Sequence, residues 1–467
     1  MEEKRKWTIL IFIGIMTFMS TLDSSIVNVA LPVINRDLNI NMGLAELVVS
    51  VYLVTMCDFL LLFGKLGDIR GKRRLFKFGV IIFTLGSLFC GISHTIIFLL
   101  ISRFIQAIGS ALAMSSNFGI ITEVFPNDER GQALGWIGSF VALGMIAGPS
   151  LGGLLLSRFD WDSIFLINVP IGIVVGGVLF FILKKDNLRT ESSFNDYLGA
   201  ILFIISITGI FGYIYAGQQV GFGQVYLLMI LAVAIIVLFL FIKKENKIND
   251  PLLDLVLFKN KGFTLGITSS IIVFVTNSFY MVFTPFYLQN ARGLSASFTG
   301  LLMTILPIIQ MIGAPLSGKL ADRFGSWKIA VWGLIITAII QLGLGLIQLN
   351  SPIWLYAIYI SILGLGSAIF QAPNNSMIMG SVKESQLGVA GSLNNFAKSF
   401  GIILGNAVGT SVLFIVMSIR AGKQINNFTG QYKALYISGQ QLTYGLGVIL
   451  LMISIIFYFK EKRNLAD

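Results

Sequence analysis

The stretch Gly64-Lys65-Leu66-Gly67-Asp68-Ile69-Arg70-Gly71 returns later in the chain as Gly318-Lys319-Leu320-Ala321-Asp322-Arg323-Phe324-Gly325, with five of eight positions identical. Each copy stands where one long apolar run ends and the next begins. A short polar segment duplicated between apolar helices divides the chain into two homologous halves and puts both copies on the same side of a membrane. Repeats of this kind mark secondary transporters, whose substrate site forms between the halves.

Composition supports a membrane setting. Charged residues make up only 12% of the chain and hydrophobic residues 55%, against roughly 25% charge in soluble domains. Runs of about 20 apolar residues read as spans. Fourteen are predicted, near 7–31, 44–67, 75–93, 97–124, 131–156, 161–183, 197–216, 223–242, 263–289, 297–318, 327–348, 352–379, 387–416 and 439–459. The fold class is therefore all-α and polytopic, with a six-helix half over 1–184, two linker helices with their connectors over 185–261, and a second six-helix half over 262–467. The outer segment 417–438 is polar and has no readable fold.

The net charge of +11 does not point to nucleic acid, because the basic residues fall in short clusters between spans. With the amino terminus placed inside, 25 of the 33 Lys and Arg residues lie on the inner side and six on the outer, while Arg103 and Lys398 fall within spans. That bias predicts cytoplasmic termini. Lys4-Arg5-Lys6 begins a run too long for a signal peptide, so the run reads as the first span. Cys57, Cys90 and the single His94 offer neither a disulfide framework nor a metal centre. A phosphate-binding G-x-x-x-x-G-K-[ST] loop is absent from the sequence, which disfavours an ATP-driven pump.

Four ionisable side chains are embedded: Asp23, Asp58, Arg103 and Lys398. Each costs at least ~2.5 kcal/mol at a helix centre and so needs a partner, water or a function. Counting the rise along their helices places Asp23 and Arg103 at depths that allow contact. They are expected to pair in one state, with protonation of Asp23 weakening the pair. Asp58 is expected to carry a proton or to meet a bound organic cation, and Lys398 to neutralise a carboxylate or contact backbone carbonyls, with contact to substrate as the alternative. Gln371, Asn374 and Asn375 flank Pro373 and offer neutral hydrogen bonding to a substrate, or glue between helices.

These motifs match a family. The segment 64–75, ending Gly71-Lys72-Arg73-Arg74-Leu75, resembles the signature loop of the major facilitator superfamily. Gly144 to Gly153, with Gly148, Pro149 and Gly152, resembles the fifth-helix G-x-x-x-G-P-x-x-G-G motif of exporters. Leu22-Asp23-Ser24-Ser25 through Pro32 resembles the first-helix motif of the fourteen-helix drug:proton antiporters, and Arg103-Phe104-Ile105-Gln106-Ala107-Ile108-Gly109 their fourth-helix motif, with Ala107 in place of a glycine. The resemblance implies a transporter and not an enzyme: a monomeric exporter of lipophilic, often cationic, drugs at a bacterial cytoplasmic membrane. It would work in the lipid bilayer with no cofactor, exchanging drug for protons. It also implies that Gly64, Asp68, Arg70, Gly71, Arg73, Arg74, Asp322 and Arg323 gate the alternation between states. A transporter for one metabolite, siderophore or lipid precursor, and a membrane sensor or scaffold that moves nothing, are the alternatives.

Overall fold

A computed structural model describes residues 2–126, 129–183, 196–248, 251–253, 255–382, 387–425 and 432–466. Fourteen helices are long and apolar enough to cross a membrane, and the protein is a multi-pass membrane protein. In lipid every backbone polar group must find its partner inside its own segment, so a helix is the form each apolar run can take.

The chain divides into two compact units. The first contains residues 1–40, 44–213 and 223–253; the second contains 41–43, 214–222 and 254–467. In the first lie α1 (Glu2–Asp37), α2 (Met42–Arg70), α3 (Lys72–Gly91), α4 (Ile96–Val124), α5 (Arg130–Leu156), α6 (Ser163–Leu166), α7 (Asn168–Ile182), most of α8 (Tyr197–Val220), and α9 (Val225–Glu245). The second holds α10 (Lys261–Pro285), continued by a π-helical turn over Phe286–Ala291, then α11 (Ala296–Phe324), α12 (Ser326–Gly345), α13 (Ile353–Gly380), α14 (Leu387–Ala421) and α15 (Lys433–Ala466).

The duplicated polar segment is not a loop. Residues 64–70 form the last turns of α2, and 318–324 the last turns of α11. What breaks each helix is one glycine, Gly71 at φ +101° and Gly325 at φ +91°. These are backbone conformations that side chains resist. The repeat keeps strict register: α2 and α11 begin and end 254 residues apart, as do α3 and α12.

Two further boundaries differ from the periodicity reading. The sixth span is broken after Leu166, because Pro170 has no N–H for the Leu166 carbonyl. The polar outer segment is partly helical: α14 runs on to Ala421 and α15 starts at Lys433. Polar residues beyond the apolar core continue a helix as readily as they leave it, so hydropathy alone ends the span too early.

Glycines set the helix spacing in the first unit. A Cβ on Gly86 would lie 2.5 Å from the Gln106 Cα, and one on Gly109 2.2 Å from the Phe83 nitrogen. Gly79 meets the Ala113 nitrogen in the same way, at 2.6 Å, so close packing of α3 on α4 rests on these three residues, and Ala107 takes its place fully buried. On α5, Gly144 and Gly148 meet α1 in the same way. Their Cβ atoms would fall 2.8 Å from the Phe18 carbonyl oxygen and 3.0 Å from the Ile26 nitrogen. Ser25 Oγ donates to the Gly144 carbonyl at 3.1 Å across this contact. Gly152 packs on Ile26, and Pro149 lies within the helix without breaking it.

Candidate functional site

In the first unit α1, α2, α3, α4 and α7 bring one embedded network together. Arg103 Nη1 donates to Asp23 Oδ2 at 2.5 Å, and both side chains have 0% exposure. The guanidinium also donates from Nε to the Val48 carbonyl at 2.8 Å and from Nη1 to Gln106 Oε1 at 2.6 Å. Asp23 Oδ1 accepts from Gln106 Nε2 at 2.8 Å and from Asn168 Nδ2 at 3.1 Å. Gln106 Nε2 reaches Ser87 Oγ as well, at 2.8 Å. The Tyr52 ring lies 4.2 Å from the guanidinium carbon and that of Phe165 5.4 Å. The Tyr52 hydroxyl donates to Ser110, which donates to Ser20.

Burial makes each of these contacts matter. An unpaired charge away from water is costly, and the pair holds only because Asp23 has three donors and Arg103 an anion, two oxygen acceptors and an aromatic face. Arg103 Nη2 has no hydrogen-bond partner among the described residues. Removing the negative charge on Asp23 would leave the cation with neutral acceptors alone. The arrangement can therefore convert one proton into a change in which helices are tied together.

Asp58 does not join this network. Its Oδ2 accepts from Thr208 Oγ1 of α8 at 2.8 Å, and its buried Oδ1 has no hydrogen-bond partner among the described residues. Asp58 is 4% exposed, and among the described residues no cation pairs with it. An ionised Asp58 here needs a proton or an arriving cation to neutralise it.

In the second unit the register of the repeat puts Asn277 where the first unit has Asp23. Asn277 Nδ2 donates to Ser367 Oγ at 3.0 Å. Asn374 is committed to its neighbours: Nδ2 donates to the Gly266 carbonyl at 3.1 Å and to Ser270 Oγ at 2.8 Å, and Oδ1 accepts from Tyr458 at 2.7 Å. This is a bond set that joins α10, α13 and α15. Asn375 Oδ1 accepts from Asn394 Nδ2 at 2.8 Å, and Gln371 is half-buried. The expected carboxylate or carbonyl partner of Lys398 is not found among the described residues. For the carboxylate the sequence gives the reason: no acidic residue lies inside the spans of this unit.

At the signature segment Arg73 lies 3.6 Å and Lys72 3.5 Å from the Glu123 carboxylate of α4. Arg74 faces the Phe78 ring at 5.8 Å and Arg323 that of Phe324 at 5.2 Å. Arg70 is exposed and Gly64 has open space at its Cβ position. The side chains of Asp68 and Asp322 lie outside the described residues.

Sequence reasoning missed Asn168, Ser87, Tyr52 and Thr208. Asn168 alone carried a signal, as an amide buried in an apolar run two residues before Pro170. The other three are neutral residue types common in membrane helices.

Comparison with known proteins places these features in context. The family model described as Major Facilitator Superfamily matches residues 13–406. The riboflavin transporter RibZ of Clostridioides difficile is 34% identical over 99% of this chain and 100% of its own length. Multidrug resistance protein Stp of Mycobacterium tuberculosis is 31% identical over 86% of this chain and 75% of its own. The tetracenomycin C resistance and export protein of Streptomyces glaucescens is 29% identical over 90% and 77%. Among solved structures, a bacterial homologue of the human lysosomal transporter Spinster, inward-facing and unoccupied, matches with TM-score 0.68 at 16% identity, covering 98% of this chain and 97% of that one. With its fourteen candidate spans, its repeated signature segment and this family match, the chain belongs to the major facilitator superfamily.

Proposed function

We propose that this protein is a proton-coupled antiporter that exports lipophilic drugs or dyes, cationic ones among them, across a bacterial cytoplasmic membrane by alternating access. Its termini are cytoplasmic, it works as a monomer in the bilayer, and the proton gradient drives it without a cofactor. The observation that carries this reading is the fully buried Asp23–Arg103 pair with Gln106 and Asn168 closing around it. A proton arriving from outside neutralises Asp23. Arg103 then keeps only the Val48 carbonyl, the Gln106 amide oxygen and the Tyr52 face, and the ties from α1 to α4 and α7 loosen. Loss of the proton to the inside restores them. Asp58 offers negative charge to a cation, and Gln371 and the Asn375 amide nitrogen offer neutral hydrogen bonding, while Asn374, expected to join them, is spent on Gly266, Ser270 and Tyr458. The glycines and proline of α5 keep that helix close against α1 and limit leak. The segments containing Asp68 and Asp322, with Arg70, Arg73, Arg74 and Arg323, bias the conformational equilibrium. The relatives named for multidrug resistance and for tetracenomycin export support the export direction.

A second reading is favoured by one observation, the end-to-end match to a riboflavin transporter. On that reading the cargo is a single planar heterocycle and not a range of drugs. Purified protein in proteoliposomes with an imposed pH gradient separates the two. Gradient-driven flux of several unrelated dyes supports the exporter, and flux of riboflavin alone supports the narrow carrier. Absence of gradient-driven flux for both sets would leave neither standing.

A further inference from the structure

Among the described residues, Lys398 is the only charged side chain more than one turn inside an apolar span of the second unit. It has neither an ion-pair nor a hydrogen-bond partner among the described residues. Its place follows from a neighbouring contact. Helices α13 and α14 are joined by a short connection and run in opposite directions, and Asn394 of α14 donates to Asn375 of α13 at 2.8 Å. Four residues on from Asn394 is Lys398, and four residues back from Asn375 is Gln371. In antiparallel helices both steps move the same way along the pair, by about 6 Å, and keep each residue on its helix face. Gln371 and Lys398 therefore stand at one level, one turn beyond the asparagine pair.

Below them the polar atoms are occupied: Asn394 also accepts from Ser270 at 3.4 Å, and Asn374 is held by Gly266, Ser270 and Tyr458. Gln371 is half-buried and, like Lys398, has no hydrogen bond among the described residues. An ammonium and a primary amide standing together supply a charged donor, a neutral donor and an acceptor. Within a membrane span such groups carry a cost unless something answers them.

We propose that Lys398 and Gln371 form a subsite for a solute bearing a carboxylate or an acidic imide. The ammonium donates to the anionic or carbonyl oxygen, and the amide completes the hydrogen bonding beside it. The proposal rests on the transport reading for its physiological meaning and gives that reading a second substrate class, opposite in charge to the one suited to Asp58.

The test is equilibrium binding in detergent, where a proton gradient plays no part. Two xanthene dyes of similar shape and opposite charge serve as probes: anionic fluorescein with its free carboxylate, and cationic rhodamine 123. Wild-type protein should bind fluorescein. Lys398→Gln should weaken that binding by about tenfold or more, as expected for a lost charged hydrogen bond, and leave rhodamine 123 within about twofold. Lys398→Arg should keep most of the fluorescein affinity, and Gln371→Ala should weaken it in a protein whose charge is unchanged. Equal losses for both dyes would make Lys398 a structural residue. Unchanged binding of both would make it a side chain that only reaches out to the membrane surface. Wild-type protein that does not bind fluorescein overturns the proposal outright. Failure of the antiporter reading looks different, since fluorescein would still bind while energised vesicles move no dye.

Discussion

Asp23→Asn is the substitution whose consequences the structure defines most sharply. The amide fits the space but leaves Arg103, with 0% exposure, without its anion. Breaking a buried pair in this way costs about 3–5 kcal/mol. Part is offset, because the guanidinium keeps the Val48 carbonyl at 2.8 Å and the Tyr52 face at 4.2 Å, and a desolvated cation–π contact is worth about 2 kcal/mol. A net loss of about 1–3 kcal/mol is expected on these terms. The second substitution, Arg103→Gln, removes the stranded charge, so the double variant should recover to within about 1 kcal/mol of wild type instead of summing two losses. Thermal unfolding in detergent, followed by intrinsic fluorescence, reads the stability. Export driven by an imposed pH gradient in inverted vesicles reads the function, and it should be lost in Asp23→Asn and remain lost in the stable double variant. Wild-type pumping by Asp23→Asn, or simple additivity of the two stability losses, would refute the reasoning.

Other expectations follow from single contacts. Asp58→Asn should impair export of cationic dyes more than of neutral drugs at one fixed pH, and an equal fall for all would assign Asp58 to the proton step. Gly144→Ala places a methyl 2.8 Å from the Phe18 carbonyl oxygen, and the overpacking should cost about 1–3 kcal/mol, seen as a lower unfolding temperature. Asp196→Ala should cost about 0.5–2 kcal/mol and speed hydrogen exchange in the first turn of α8, because Asp196 Oδ1 accepts from the Gly199 N–H at 3.0 Å and from Lys244. Burial pushes the Asp196 carboxyl up, but hydrogen bonds from Glu245, Lys244 and the Gly199 amide hold it below its ordinary 3.8. With a folded value below the unfolded one, its stabilising contribution is fully present at neutral pH and fades as pH falls below 3.8.

The fold was largely legible because lipid leaves few options. Apolar run length gives the spans, and the duplicated segment gives the two-fold plan. What hydropathy misread were the helix ends: residues 64–70 are polar yet helical, and the break belongs to Gly71 alone. The Asp23–Arg103 contact followed from depth along two helices, since embedded charges have few affordable partners. Their neutral supporters escaped notice, because an asparagine, serine or tyrosine in a membrane helix is too common to single out. Asp58 and Lys398 show the opposite limit. Their rarity in the sequence flagged them, but only the structure shows that Asp58 meets an accessory helix through Thr208 and that Lys398 has no counter-charge among the described residues.

Coupling of substrate to a proton on Asp23 is the central claim, and proton release tests it most directly. Purified protein in weakly buffered detergent solution is mixed with a transported dye at a series of starting pH values, and the bulk pH is followed with an indicator. If substrate and proton compete, wild-type protein releases protons in proportion to the dye bound, and Asp23→Asn binds dye with no release. Dye binding by the wild type without proton release, or equal release by both proteins, would contradict the account.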